Sequence, residues 1–228
     1  MSDFQNFKAF IPFVNRPDLL EKAVASMMEL SPHLSIIDNS QDGLDPAKWP
    51  CPIIRPSVPL QVSQTLNFIF RLTREAGCGI CVYMHGDGAA QPGTCLELVE
   101  KAKQATLEGR KWGLIFTLYD ILFALNMDLL KRVGDWDVNI PWYKADQDYY
   151  RRITLAGLEC VEGGMGDRVS HFSSATIRSD ERLNFLNSIN HHLAHQFYLA
   201  KWGGECGEEL WTVPFNRPDL FKDARLGG

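Results

Sequence analysis

With 228 residues, 45% of them hydrophobic and 22% charged, the chain has the length and composition of one globular domain with a substantial core. Its net charge of -5 gives no overall attraction to a phosphate backbone, so a nucleic-acid partner would depend on a local basic patch. No apolar run approaches the roughly 20 residues needed to span a bilayer, and the N-terminus lacks the pattern of a secretory signal, so the chain is expected in the cytoplasm with its six scattered cysteines as reduced thiols.

In chain order, residues 8–14 form a short apolar run ended by Asn15, Arg16 and Pro17. Leu19, Leu20, Ala23, Val24, Met27 and Met28 then recur at helical spacing. Residues 34–40 read as a second strand finishing in the polar Asp38-Asn39-Ser40 before the turn signal Gln41-Asp42-Gly43, and residues 53–56 as a shorter third. Leu66, Ile69, Phe70 and Leu72 predict a helix over 63–75, and the strand 79–84, with Cys81 buried in it, runs directly into His85-Gly86-Asp87-Gly88. Pro92 opens a helix that stops near Gly109. Residues 112–117 and 123–126 read as strands, 127–133 as a short helix, 167–170 as a strand, and the chain beyond Ser179 as amphipathic helix. This alternation predicts an α/β fold with a largely parallel sheet whose ligands gather at the carboxyl ends of the strands.

Several of those strand ends carry residues with chemistry. Asp87 stands between two glycines after a buried strand, where it is either a plain turn residue or an anchor for a hard cation such as Mn2+ or Mg2+. His171 ends its strand either as a satisfied sheet-edge histidine or as a second ligand. Asp146 and Asp148 open a helix just after the aromatic-rich segment Trp136, Trp142, Tyr143; each can cap free backbone N–H groups or serve as a base. The three aromatics either pack or stack on a sugar or base, and Asp38 with Asn39 can simply form an Asx turn.

Taken together, Pro12-Phe13-Val14-Asn15-Arg16, Ile37-Asp38-Asn39-Ser40, Met84-His85-Gly86-Asp87, Val133-Gly134-Asp135-Trp136-Asp137, Ala145-Asp146-Gln147-Asp148 and Val169-Ser170-His171 occur in the order and spacing of a GT-A-fold, family 2-like glycosyltransferase, which the chain resembles over about residues 8–175. The resemblance implies a single GT-A (Rossmann-like) domain over residues 1–178 and a helical C-terminal extension over 179–228 packing on it. It implies that Pro12, Asn15 and Arg16 line the nucleotide loop, that Asp38 and Asn39 bind the base or ribose, and that Asn67 lies near the diphosphate. Asp87 and His171, with the donor diphosphate, would hold Mn2+ or Mg2+. His85 stands where the family has the first acid of a DxD, and Ala145 where its xED element often has glutamate, leaving Asp146 at the base position. Trp136, Trp142, Tyr143 and Asp148 would face the acceptor, and Trp202, in Lys201-Trp202-Gly203-Gly204, would belong to an acceptor lid or to a packing clamp.

The implied activity is an inverting, metal-dependent transfer of a hexose from a nucleotide sugar, a UDP-sugar such as UDP-glucose, to a hydroxyl acceptor. That acceptor is a glycan or small molecule, or a hydroxymethylated base in DNA as in phage-type enzymes. Whether Arg71 with Arg74, Lys101 with Lys103, and Arg110 with Lys111 form one basic surface bears on the DNA reading. A non-catalytic nucleotide-sugar or glycan-binding module is the alternative. A nucleotidyltransferase is a poorer match, because residues 12–16 lack the glycines of a phosphate loop.

Overall fold

The computed structural model describes residues 3–221; residues 1–2 and 222–228, at the outer ends of the two expected segments, lie outside the described residues. In chain order the elements are β1 (Asp3–Phe13), α1 (Pro17–Met27), β2 (Leu34–Asp38), β3 (Ile53–Ile54), α2 (Val62–Glu75), β4 (Cys78–Met84), β5 (Gly88–Ala90), α3 (Thr94–Leu107), β6 (Trp112–Phe116), β7 (Leu122–Asn126), α4 (Ala145–Leu155), β8 (Glu159–Glu162), β9 (Val169–His171), α5 (Ala175–Arg178), α6 (Glu181–Trp202) and α7 (Pro218–Phe221). Seven strands form the main sheet in the order β3-β2-β1-β4-β7-β6-β8, while β5 and β9 pair in a separate ribbon.

Side chains alternate across the central strands and so build a core on each face. Ala9, Ile11, Ile80 and Val82 pack under α1 and α3 residues such as Leu20, Val24, Leu98 and Ala102. Phe10, Cys81 and Tyr83 face the other way, against Leu66 and Phe70 of α2, Tyr149 and Ile153 of α4, and Ala194, Tyr198 and Trp202 of α6. The helical extension therefore shares the second core. Every residue of β4 is buried, which is why its apolar run is continuous: a central strand covered on both faces has no solvent side to mark.

The sheet is mostly parallel, with one reversal. β7 runs antiparallel to both β4 and β6, because residues 117–121 turn the chain straight back instead of crossing over through a helix. The helix expected over 127–133 is a single 3-10 turn, Leu129–Arg132. β5 and β8, three and four residues long, have no counterpart in the sequence reading. No helix among the described residues is long and apolar enough to cross a membrane.

Candidate active site at the carboxyl edge of the sheet

β4 delivers His85, Gly86 and Asp87 to the carboxyl edge beside the end of β1. Gly86 has a steric reason to be glycine: a Cβ there would collide with the Pro12 carbonyl oxygen. Directly afterwards β5 pairs antiparallel with β9, setting Gly88 opposite His171, and the Phe172 N–H donates to the Asp87 carbonyl at 2.9 Å. This ribbon brings together two residues 84 positions apart, leaving His171 Nε2 3.5 Å from Asp87 Oδ1. Burial of Asp87 opposes its ionisation, but the His171 imidazole against it and the charges of His85 and His171 outweigh that and hold the carboxyl below its ordinary range. The His85 ring meets that of His171 edge-on at 6.2 Å and that of Tyr83 at 5.3 Å.

A second acid group adjoins this pair. The 117–121 turn is fastened to the His85 loop, since the His85 N–H donates to the Ile121 carbonyl at 2.9 Å, and it carries Asp120, which the sequence reading did not single out. Asp120 faces Asp146 and Tyr150 of α4. Burial first, and then the charge of Asp120, push the Asp146 carboxyl up to about 6. Burial and the charges of Asp120 and Asp146 likewise hold the Tyr150 phenol protonated. Tyr83 is held protonated by burial and by the charges of both Asp120 and Asp87. The one sequence signal for Asp120 is its position: an acid in the turn that leaves β6 at the ligand-bearing edge.

Other expected site residues are committed elsewhere. Asp38 is buried and its oxygens accept from Ser40 N and Oγ, Leu44 N and Arg55 Nη1 at 2.5–3.4 Å. Asn39 donates to Thr65 Oγ1 and accepts from Leu60 N, both at 3.0 Å. Asp38 thus makes the Asx turn of this segment, whereas Asn39 ties the end of β2 to the 60–65 segment at the start of α2. The Asn67 amide clasps the Trp136 backbone, donating to the carbonyl at 2.9 Å and accepting from the N–H at 2.7 Å. Trp136 is buried and stacked on Tyr149 at 4.2 Å, so it is a core residue rather than an acceptor platform.

Asp148 and Trp202 are corrected in the same way. Both are 1% exposed, because the Trp202 indole N–H donates to Asp148 Oδ1 at 2.9 Å, with Lys201 Nζ at 2.6 Å from that oxygen and Arg152 Nε at 2.9 Å from the other. The Lys201-Trp202 element is a packing clamp and not a lid. Trp142 stays half-buried, and Tyr143 is exposed with its ring edge-on to His191 at 4.9 Å. At the end of β1, Asn15 donates to the Thr176 carbonyl at 3.0 Å while its own oxygen is buried without a hydrogen-bond partner, and Arg16, in the left-handed region at φ 64, pairs with Asp18 at 2.6 Å.

Among the described residues no three His, Cys, Asp or Glu side chains converge on one point, so His85, Asp87 and His171 do not make a closed cage. What the chain offers is a two-donor site. The 3.5 Å between Asp87 and His171 is about half an ångström wider than the ~3.0 Å between adjacent octahedral ligands each about 2.1 Å from one ion. A carboxylate with an imidazole suits Mn2+ or Mg2+ shared with substrate phosphates, the usual mode for a cation that keeps few protein ligands.

No protein-family model and no curated protein matches the sequence. Solved structures do match its fold. GalNAc-T7 with UDP, GalNAc and Mn2+ aligns at a TM-score of 0.56 and 12% identity over 95% of this chain and 54% of that one; the chain therefore spans about half the length of GalNAc-T7. Glucosyl-3-phosphoglycerate synthase from Mycobacterium tuberculosis, in complex with Mn2+, UDP and glucosyl-3-phosphoglycerate, aligns at 0.56 and 15% identity over 89% of this chain and 80% of that one. The same synthase in complex with Mg2+ and UDP aligns at 0.56 over 89% and 79%.

Proposed function

We propose that this chain, which has the GT-A fold, is a glycosyltransferase that takes a sugar from a nucleoside-diphosphate donor, UDP-linked, and attaches it to a hydroxyl acceptor with inversion. The observation that carries this reading is the convergence at one sheet edge of the Asp87–His171 pair with Asp146, a carboxyl whose affinity for protons is raised to about 6. Inversion needs one base on the face opposite the leaving group. Asp146 takes the acceptor hydroxyl proton as that oxygen forms its bond to the anomeric carbon, and the bonding pair of the departing C–O bond leaves with the diphosphate. A proton affinity near the working pH suits a group that must be ionised before the step and protonated after it. Asp87 and His171 would hold the divalent ion, which when bound neutralises charge on the diphosphate. The solved relatives bound to UDP and Mn2+ or Mg2+ support the donor and metal classes.

The surface favours a glycan or small-molecule acceptor over DNA. Five of the six basic residues that could have formed a patch are occupied by acids: Arg71 by Glu75, Arg74 by Asp135, Lys101 by Glu97, Lys103 by Glu100 and Arg110 by Glu159, at 2.5–3.8 Å. Paired cations have little left to offer a phosphate backbone.

The test is nucleoside-diphosphate release from a panel of nucleotide sugars, with Mn2+ or with EDTA. Release from one donor that needs the metal and is lost in Asp146→Asn supports the proposal. Donor binding with no turnover in any acceptor mixture, equal in wild type and Asp146→Asn, would assign the site to a binding module instead.

A further inference from the structure

Beside the clamp on Asp148 lies a cavity of about 330 Å3, bounded by α4, α6, the 135–139 loop and the C-terminal turn at Pro214 and Phe215. Its volume falls at the small end of the ~300–1,000 Å3 typical of small-molecule sites. None of Asp87, Asp120, Asp146 and His171 lines it. Asp146 and Asp148 project about 200° apart on α4, and the cavity is on the Asp148 side, where Arg152 follows one turn later.

Arg152 is 6% exposed, yet only part of its guanidinium is engaged. Nε donates to Asp148 Oδ2 at 2.9 Å and Nη1 to the Val133 and Asp135 carbonyls at 3.1 and 2.9 Å, while Nη2 is buried without a hydrogen-bond partner. A buried unpaired donor is unfavourable, and an acceptor oxygen reaching it from the cavity that Arg152 lines removes that penalty. The backbone beyond α6 turns through the left-handed region at Phe215 and Asn216, φ 57 and 51, a conformation unfavourable to side chains with a Cβ and frequent where a ligand is clamped. There the Phe215 ring meets that of Phe197 at 5.6 Å and 81°, so the two aromatic walls form a corner.

The lining selects a ligand class. Arg152 and Lys201 share the cavity with the carboxylates of Asp135 and Asp137, so a ligand of either net charge meets its like. What suits both is a neutral molecule whose groups donate and accept alike, as a hydroxyl does: oxygens toward the Arg152 guanidinium, O–H groups toward the carboxylates and the Asn139 amide. Its carbon skeleton must pack on Phe197 and Phe215. A flat base needs a slot between parallel faces, whereas a corner fits a puckered ring with apolar C–H edges. Hydroxyls set around such a ring describe a saccharide.

We infer that this cavity is a carbohydrate-binding site separate from the sheet edge, taking a neutral sugar with its hydroxyls on Arg152, Asn139 and the two carboxylates and its ring against Phe197 and Phe215. The inference is independent of the glycosyltransferase reading, because its readout is binding without donor, metal or turnover.

The full chain in EDTA, without nucleotide, is titrated with glucose and with maltose by saturation-transfer NMR and calorimetry. Both sugars should bind, and glucuronate and glucosamine should bind less well than glucose. Asn139→Trp, which sets an indole in the cavity from an exposed position, should weaken binding at least about tenfold with far-UV circular dichroism and melting temperature unchanged. Phe215→Ala should also weaken it, and Asp146→Asn should bind as the wild type does. Absence of binding by any sugar overturns the inference and leaves Arg152 Nη2 to water. Tighter binding of glucuronate than of glucose would make the cavity an anion site, and binding that Asp146→Asn removes but Asn139→Trp leaves would give the sugar to the sheet edge; either result overturns it too.

Discussion

The carboxylate of Asp146 is costly to keep ionised, because burial and the neighbouring charge of Asp120 both favour its protonated form. Its folded value of about 6 exceeds the ordinary 3.8. Between those values the folded chain holds the proton more tightly than the unfolded one, so this group's contribution to stability falls as pH rises through the window, and above it the ionised side chain is a standing cost. Asp146→Asn removes that cost. The variant should melt a few degrees higher at about pH 8, at ~2–4 °C for each kcal/mol in a chain of this length, while kcat falls by about 10²–10⁴-fold. In the wild type kcat/KM should climb with pH through about 6 and then level off. Unchanged turnover in Asp146→Asn, or a flat pH profile, would remove Asp146 from the role of base. Asp146, Asp87 and His171 were legible as types at strand and helix ends, but their environment was not: Asp120 acts through space from a turn whose sequence carries no motif.

Between elements, α4 works on two sides. Its first turn presents Asp146 to the sheet edge, while Asp148 and Arg151 bind the C-terminal segment and Arg152 ties Asp148 to the Val133 and Asp135 carbonyls. Asp148 takes the Arg152, Lys201 and Trp202 contacts, and Arg151 lies 3.2 Å from Glu209. Removing one partner from a buried ionic group leaves the others uncompensated, at a cost on the order of 3–5 kcal/mol. Asp148→Ala should therefore unfold at markedly lower urea, whereas Glu75→Ala, which removes an exposed pair with Arg71, should shift the midpoint by less than ~1 kcal/mol equivalent. Equal midpoints for the two would show that the clamp carries no weight. The sequence marked Asp148 and Trp202 as notable without telling a buried clamp from an acceptor surface, because both uses call for an acid and an aromatic side chain. The main strands and helices were readable from periodicity, since each is long enough to show its period. Of the β5–β9 ribbon only the second strand was readable, over 167–170: β5, three residues long, is too short for alternation to register, and the pairing that assembles the Asp87–His171 pair left no signal in the sequence.

At the scale of the whole molecule, the proposed function would leave its divalent ion only half held by protein. With two protein ligands on hand and no third converging among the described residues, neither ion nor diphosphate should bind well without the other, since each completes the other's coordination. Melting curves offer a direct check, because a ligand at 100 times its Kd stabilises the native state by about 2.7 kcal/mol. Mn2+ alone and UDP with EDTA should each shift the melting temperature little, and the two together by more than the sum of the separate shifts. Asp87→Ala and His171→Ala should each abolish that excess, whereas Glu75→Ala, which removes only the exposed pair with Arg71, should keep it. Additive shifts, or an excess that survives both ligand variants, would place the metal elsewhere and leave the Asp87–His171 pair as a structural contact between β4 and the ribbon.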